Sequence, residues 1–232
     1  MSTAERPLRA DAERNRRLLL DAARELFAQR GLQVTLDDIA RAAGVGVGTA
    51  YRRFGTREKL IDALFEERVG GIVALAKEGL EADDPWEGLA GFLQRSLALQ
   101  AADRGLKELL LGTAEGRERV AAIRAQMQPL GTELVRRAQE AGALRPDFAP
   151  QDIPLLQIML GAIVDVSQSV QPELWQRYLA LILDGMRAEG APRTTSDVPP
   201  VEWSRVADVM SCWRPPQRRG PGDQLQATPA QP

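Results

Sequence analysis

The sequence predicts an all-α protein in which an N-terminal helix-turn-helix domain is joined by a long helix to a larger helical domain. Three observations favour this class. Apolar residues recur at helical spacing along most of the chain, the breaks fall at glycine and proline, and residues 35–65 have the pattern of a helix, a tight turn and two further helices. With 44% hydrophobic residues in 232, the chain can bury a sizeable core. We expect about nine helices.

A first helix is predicted over about residues 12–30, and Gly31 supplies its C-terminal stop. Residues 1–12 have no apolar stripe, so we expect a disordered leader there and no secretory signal. The inward stripe of the helix is Leu19, Ala23, Leu26 and Phe27.

The next segment, TLDDIARAAGVGVGTAYRRFGTREKLIDALF, contains the helix-turn-helix. Thr35 and Asp38 have the spacing of a capping box, which predicts a helix start. Gly44 can adopt the left-handed backbone that a sharp helix exit requires. A short helix follows over roughly residues 47–54, and Thr56 can cap the helix after it. The order and spacing of these signals predict a DNA-binding motif within residues 13–60.

The charge distribution supports a DNA-binding end. Residues 1–60 carry 12 Lys and Arg against 8 Asp and Glu, whereas the remaining 172 residues carry 18 against 24. A net +4 on the first part and −6 on the second give the overall −2. Such a basic end on a mildly acidic chain is the electrostatic footprint of a protein that meets DNA on one side.

Residues 61–190 are predicted to form a helical regulatory and dimerisation domain. Pro129 should kink one of its long helices, because proline removes an amide and crowds the preceding turn. The helix after it is apolar on nearly all sides, and such a helix is buried. It and its successor would be hard to bury fully inside one subunit, which fits a dimer. The predicted helices lie at about 57–79, from about 84 onward, and at 106–111, 116–140, 150–169 and 173–187.

Eight of the fifteen prolines lie beyond residue 190, so residues 191–232 are predicted to be a flexible tail. Apolar residues at helical spacing within 201–213 leave two alternatives for that stretch, a docked helix or transient structure.

Catalytic chemistry has little support in this sequence. The chain has no histidine and one cysteine, Cys212, so a histidine base and a Cys-His nucleophile are both excluded. No phosphate-binding loop or zinc spacing occurs, and we expect no catalytic residue, no metal and no cofactor. Asp165, inside an apolar helix, is either a hydrogen-bonded or interface aspartate, or a contact to an effector. No stretch reaches the roughly 18 apolar residues of a membrane span, so we expect a cytoplasmic protein with no membrane partner.

Residues 14–65 resemble the TetR family of bacterial transcriptional regulators, most clearly in the segments RRLLLDAARELF, TLDDIARAAGVGVGTAYRRF and GTREKLIDALF. Serine is frequent in that family where Gly46 stands, longer polar side chains are frequent at Val47 and Gly48, and a larger apolar residue is common where Ala50 stands. These departures leave the recognition helix with a weaker cap and fewer polar side chains. The resemblance implies DNA contacts by Thr35, Thr49, Tyr51, Arg52, Arg53 and Arg57. In addition, Val47 could contact a thymine methyl group, and Arg41 is a weaker candidate.

The resemblance also implies a homodimeric repressor, bound to a palindromic double-stranded operator on the nucleoid and released by a small apolar or amphipathic effector. The effector would shift the helix at 57–79 and change the separation of the two DNA-binding ends. The expected effector pocket is Trp86, Phe92, Met127, Leu130, Leu134, Met159 and Asp165. The expected dimer interface is Leu156, Leu160, Ile163, Trp175, Tyr178 and Ile182.

Three alternatives remain open at this point. The chain could be an activator, a regulator of the same fold that responds to a protein, or a protein-interaction adaptor that has lost DNA binding. The glycines and alanine of the recognition helix are the reason for keeping the adaptor.

Overall fold

The structure is a computed structural model that describes residues 5–30, 33–102, 114–188 and 198–212. Within these ranges the chain forms nine α-helices and no strand, as the predicted all-α class requires. An isolated bridge pairs Leu144 with Arg187. The helices are α1 (Glu5–Arg30), α2 (Leu36–Ala42), α3 (Val47–Phe54), α4 (Arg57–Glu81), α5 (Pro85–Ala102), α6 (Ala114–Glu140), α7 (Asp152–Ser167), α8 (Leu174–Met186) and α9 (Trp203–Cys212).

Helix α1 begins at Glu5, and residues 5–12, which we expected in a disordered leader, are therefore helical. Pro7 does not prevent this helix, since an amide in the first turn has no partner within the helix.

Helices α1, α2 and α3 pack with the first part of α4, as far as Val69, around one apolar core; we call this unit the head. Leu19, Ile39 and Leu60 are fully buried at its centre. Gly44 has φ of 64° and the amide of Val45 donates to the carbonyl oxygen of Ala40 (3.0 Å), which gives the predicted sharp exit from α2.

The rest of α4 packs with α5, α6, α7 and α8 around a second core, and we call this unit the body. Asp84 accepts from the amide of Trp86 (2.8 Å) and so caps the start of α5. Helices α4 and α5 approach closely at Gly79 and Gly88: a Cβ on Gly88 would lie 2.2 Å from the Gly79 carbonyl oxygen. Arg137 of α6 donates to the carbonyl oxygens of Leu80 and Ala82, at the end of α4.

Several expected elements differ from, or fall outside, the described structure. The short helix expected at 106–111 lies outside the described residues. Helix α6 includes Pro129, and the kink expected there stays a prediction. Within the segment 201–213, for which two alternatives were open, a helix, α9, forms at Trp203–Cys212. It packs on α7, and its Val206 is fully buried. No described helix is long and apolar enough to cross a membrane.

Candidate DNA interface and effector cavity

The start of α2 is closed by a complete capping box. The amide and hydroxyl of Thr35 donate to Asp38 Oδ2 (3.1 and 2.6 Å), and the amide of Asp38 donates back to Thr35 Oγ1 (3.1 Å). These hydrogen bonds from Thr35, with the charges of Arg41 and Arg30, lower the pKa of Asp38. The box orders the first turn of α2, whose free amides can face a phosphate.

Helix α3 exposes most of the side chains predicted to read DNA. Tyr51, Arg52 and Arg53 are exposed and Thr49 is half-buried. Arg52 donates to Thr49 Oγ1 (3.0 Å), and Arg53 lies 3.8 Å from the carboxylate of Glu13 in α1. The helix starts at Gly46 without a side-chain cap, as the sequence indicated.

Val47 and Arg57 have packing partners inside the head. Val47 is half-buried against the head core. Arg57 Nε donates to the carbonyl oxygen of Val34 (2.8 Å), and its guanidinium lies 5.4 Å from the centre of the Phe27 ring. Arg57 therefore ties the start of α4 to α1 and to the segment before α2. Arg41 is mostly exposed, 3.8 Å from Asp38.

Asp37 was missed by the sequence analysis. A hydrogen bond from the Tyr51 hydroxyl to this carboxylate, together with its charge, raises the pKa of Tyr51. The contact places the tip of Tyr51 beside the first turn of α2, so Thr35 and the α3 side chains share one region of the head surface. The Asp–Tyr pair is not visible in sequence, because the two residues are fourteen positions apart on different helices.

The body contains a cavity of about 210 Å³ between α4, α5, α6, α7 and α9. None of the described residues that line it is charged, and its polar side chains are Gln100, Gln128 and Gln157. Gln157 Nε2 donates to Ser96 Oγ (2.9 Å), which fixes one of these amides. The lining is Ile72, Phe92, Gln100, Ile123, Met127, Gln128, Gly131, Pro150, Ile153, Pro154, Gln157, Ile158 and Trp203.

Of the seven residues predicted for the pocket, Phe92 and Met127 line this cavity and the other five do not. Leu130 and Leu134 pack in the body core, and Trp86 is buried there with the Arg187 guanidinium 4.5 Å from its ring. Met159 is 50% exposed and Asp165 is half-buried outside the cavity. Helical periodicity identifies the inward face of a helix, but it does not identify where neighbouring helices leave a void.

The residues predicted for a dimer interface occupy three environments. Leu160 and Trp175 are buried in the chain's own body core. Leu156, Ile163 and Ile182 are half-buried beside that core, and Tyr178 is exposed. The large apolar side chains that α7, α8 and the turn between them expose are Met159, Val166, Val170, Tyr178 and Leu181.

An exposed helix-turn-helix, joined by one long helix to a helical unit with an apolar cavity, defines a ligand-responsive DNA-binding regulator. Comparison with known families agrees with this class. Residues 19–64 match the sequence model described as bacterial regulatory proteins of the tetR family, and residues 84–188 match the SbtR-like C-terminal domain of transcriptional regulators. The chain belongs to the TetR family of bacterial transcriptional regulators.

Individual relatives cover most of the fold. A TetR regulator from Mycobacterium vanbaalenii is 37% identical, with a TM-score of 0.60 over 78% of this chain and 99% of its own. The regulator SCO0520 from Streptomyces coelicolor is 32% identical, with a TM-score of 0.57 over 74% of this chain and 98% of its own. The transcriptional repressor KstR2 from Mycobacterium tuberculosis is 25% identical over an alignment of 190 residues, which covers 74% of this chain and 92% of that protein.

Proposed function

We propose that this protein is a cytoplasmic, homodimeric repressor that binds a palindromic operator on the nucleoid and leaves it when a small, neutral, largely apolar effector fills the cavity. Thr49, Tyr51, Arg52 and Arg53 carry the DNA contacts of α3. Thr35 and Arg41 act at α2, with Arg57 in a mixed packing and phosphate role. The naming of KstR2 as a repressor supports repression over activation.

The observation that carries this proposal is the position of the cavity against helices that reach the head. Ile72 lines the cavity from α4, and the same helix begins in the head at Arg57, which donates to the carbonyl oxygen of Val34. Ile123 of α6 lines the cavity and also packs against the head core. A ligand that prefers one arrangement of α4 and α6 would therefore bias the position of the head.

The exposed apolar face of α7 and α8 supports a dimer. Met159 and Val166 lie seven residues apart on α7, and Tyr178 and Leu181 lie three apart on α8, so each helix exposes large apolar side chains at helical spacing. Exposed apolar surface of this kind marks interaction sites. We expect Leu181→Asp to convert a dimer into a monomer in size-exclusion chromatography with light scattering, because the interface would bury an unpaired charge. A native chain that runs as a monomer at micromolar concentration would contradict the proposal. Two recognition helices in such a dimer need a spacing of roughly 34–36 Å for successive major grooves.

Fluorescence anisotropy tests the DNA-binding part directly. The full chain is titrated into the duplex that lies upstream of its own gene and into a shuffled duplex, across a salt series. We expect preference for the first duplex. For each phosphate that the protein neutralises, log K should fall by roughly 0.9 per tenfold rise in salt concentration. Neutral apolar compounds are then added to the complex, and those that release DNA identify the effector class.

If the operator lies elsewhere in the genome, selection of bound sequences from a random pool can identify it. Enrichment of no sequence would contradict sequence-specific binding and favour the adaptor. Specific binding that no neutral compound changes would favour a regulator controlled by a protein.

A further inference from the structure

One wall of the cavity comes from a helix outside the region matched by the family. Trp203, the first residue of α9, lines the cavity, whereas the match to the C-terminal domain ends at residue 188. An indole at this point offers a flat apolar face and one N–H donor. The wall is therefore a feature of this chain that the family assignment does not explain.

Packing fixes the position of this wall. Val206, one turn after Trp203, is fully buried, and α9 packs on α7. The amides of Arg205 and Val206 donate to the carbonyl oxygen of Glu202 (2.9 and 3.1 Å), which closes the first turn of the helix. Trp203 is consequently held against the cavity by its own helix.

The remaining lining indicates what kind of molecule the wall would meet. Phe92 supplies a second aromatic side chain, and three glutamine amides supply the polar groups. No charged side chain occurs among the described lining residues, so nothing on them would pair with an ionic group. A cavity of about 210 Å³ exceeds the roughly 150 Å³ that holds a benzene molecule, and so has room for one or two rings.

We propose that Trp203 is a specificity-determining residue of the effector site, and that it selects neutral planar apolar molecules over flexible chains of similar size. The physical reason is that a planar ligand keeps full contact with a flat indole without losing internal rotations, whereas an alkyl chain must be ordered to do so. This inference rests on the proposed effector role of the cavity.

The test uses the full chain and the neutral fluorophore N-phenyl-1-naphthylamine, whose emission rises in apolar surroundings. Displacement of the fluorophore gives the affinities of 2-naphthol and 1-decanol, which have the same number of carbons and one hydroxyl each but differ in planarity. Trp203→Leu keeps apolar volume without a ring, and Trp203→Phe keeps a ring. Val209→Ala, at an exposed position of α9, is the matched control.

We expect Trp203→Leu to weaken the affinity for 2-naphthol about fivefold, a loss typical of one stacked ring. The affinity for 1-decanol should change by less than about twofold. Trp203→Phe should restore most of the 2-naphthol affinity, and Val209→Ala should change neither. Equal losses for both ligands, no loss for either, or no binding of 2-naphthol by the native chain would each overturn the assignment of Trp203. DNA anisotropy with 2-naphthol is the separate arm: unchanged DNA binding there counts against the proposed effector response and leaves the selectivity result standing.

Discussion

Arg52 and Arg57, both expected to contact DNA, are held by different partners in the head. Arg52 reaches only one turn back along α3, to the Thr49 hydroxyl. Arg57 joins α4 to the Val34 carbonyl oxygen and the Phe27 ring, which lie in other elements. The first arrangement leaves the cation directed outward, whereas the second makes the cation part of the packing of the head.

We therefore expect opposite effects from the two alanine substitutions. Arg57→Ala should lower the free energy of unfolding by about 1–2 kcal/mol and weaken the binding of all DNA sequences alike. Arg52→Ala should keep stability within about 0.5 kcal/mol and weaken the operator about tenfold more than a shuffled duplex. Urea unfolding and DNA anisotropy measure the two effects. An Arg57→Ala protein of native stability would show that the packing contacts contribute little.

The capping box of α2 should make stability depend on pH. Because folding lowers the pKa of Asp38, its carboxylate stabilises the fold above the unfolded pKa of about 4, and this stabilisation is lost as the pH falls through the folded pKa. Asp38→Asn should thus lower the urea midpoint at pH 7, and the difference from the native chain should narrow near pH 3. Thr35→Ala should behave in the same way. If the double variant loses as much free energy of unfolding as the two single variants together, the two side chains act independently, which would contradict a cap that acts as one unit.

At the scale of elements, the crossing of α4 and α5 depends on two glycines. A Cβ on Gly88 would lie 2.2 Å from the Gly79 carbonyl oxygen. The Cβ is fixed to the backbone of α5 and the oxygen belongs to the backbone of α4, so neither atom can move aside by a change of rotamer. Gly88→Ala should therefore destabilise the chain by about 1–3 kcal/mol or more, since the helices must separate.

Gly91→Ala is the matched control on the same helix. The nearest atom to its Cβ would be the flexible end of Arg95, at 3.9 Å, so the substitution should raise stability by up to about 1 kcal/mol through helix propensity. Thermal unfolding of the two variants measures the difference. A Gly88→Ala protein as stable as Gly91→Ala would mean that the crossing has room to open.

The elements that sequence predicted well are those specified by local chemistry. Gly44 forms its turn through its own backbone, and Thr35 forms its cap through its own hydroxyl group. Both roles can therefore be predicted from the sequence without knowledge of the fold. Trp203 and Met159 show the limit. Both occur at helical spacing in apolar stretches, yet Trp203 lines the cavity and Met159 faces outward. The difference depends on which helices pack on α7, and that is a tertiary property.

For the whole molecule, the question is how a ligand in the body affects DNA at the far end of α4. The two cores meet at few points. Ile72 lines the cavity while its neighbour Val73 packs against the head core. Ile123 does both at once from α6. Coupling between ligand and DNA requires an element whose arrangement both of them bias, and these contacts are where the body and the head share side chains.

Truncating Ile123 should therefore weaken the coupling more than the binding. In Ile123→Ala, a compound that releases the native chain from DNA should still bind, but the factor by which it lowers DNA affinity should fall several-fold, from a typical coupling of about 1–3 kcal/mol. The measurement is the DNA dissociation constant with and without the compound, repeated as the compound's dissociation constant with and without DNA, because linkage requires the two factors to agree. Ile158→Ala, which alters the cavity from α7, is the control, and it should lower the affinity for the compound while preserving the factor. An unchanged factor in Ile123→Ala would favour coupling through α4, which among the described residues also lines the cavity and contributes to the head core.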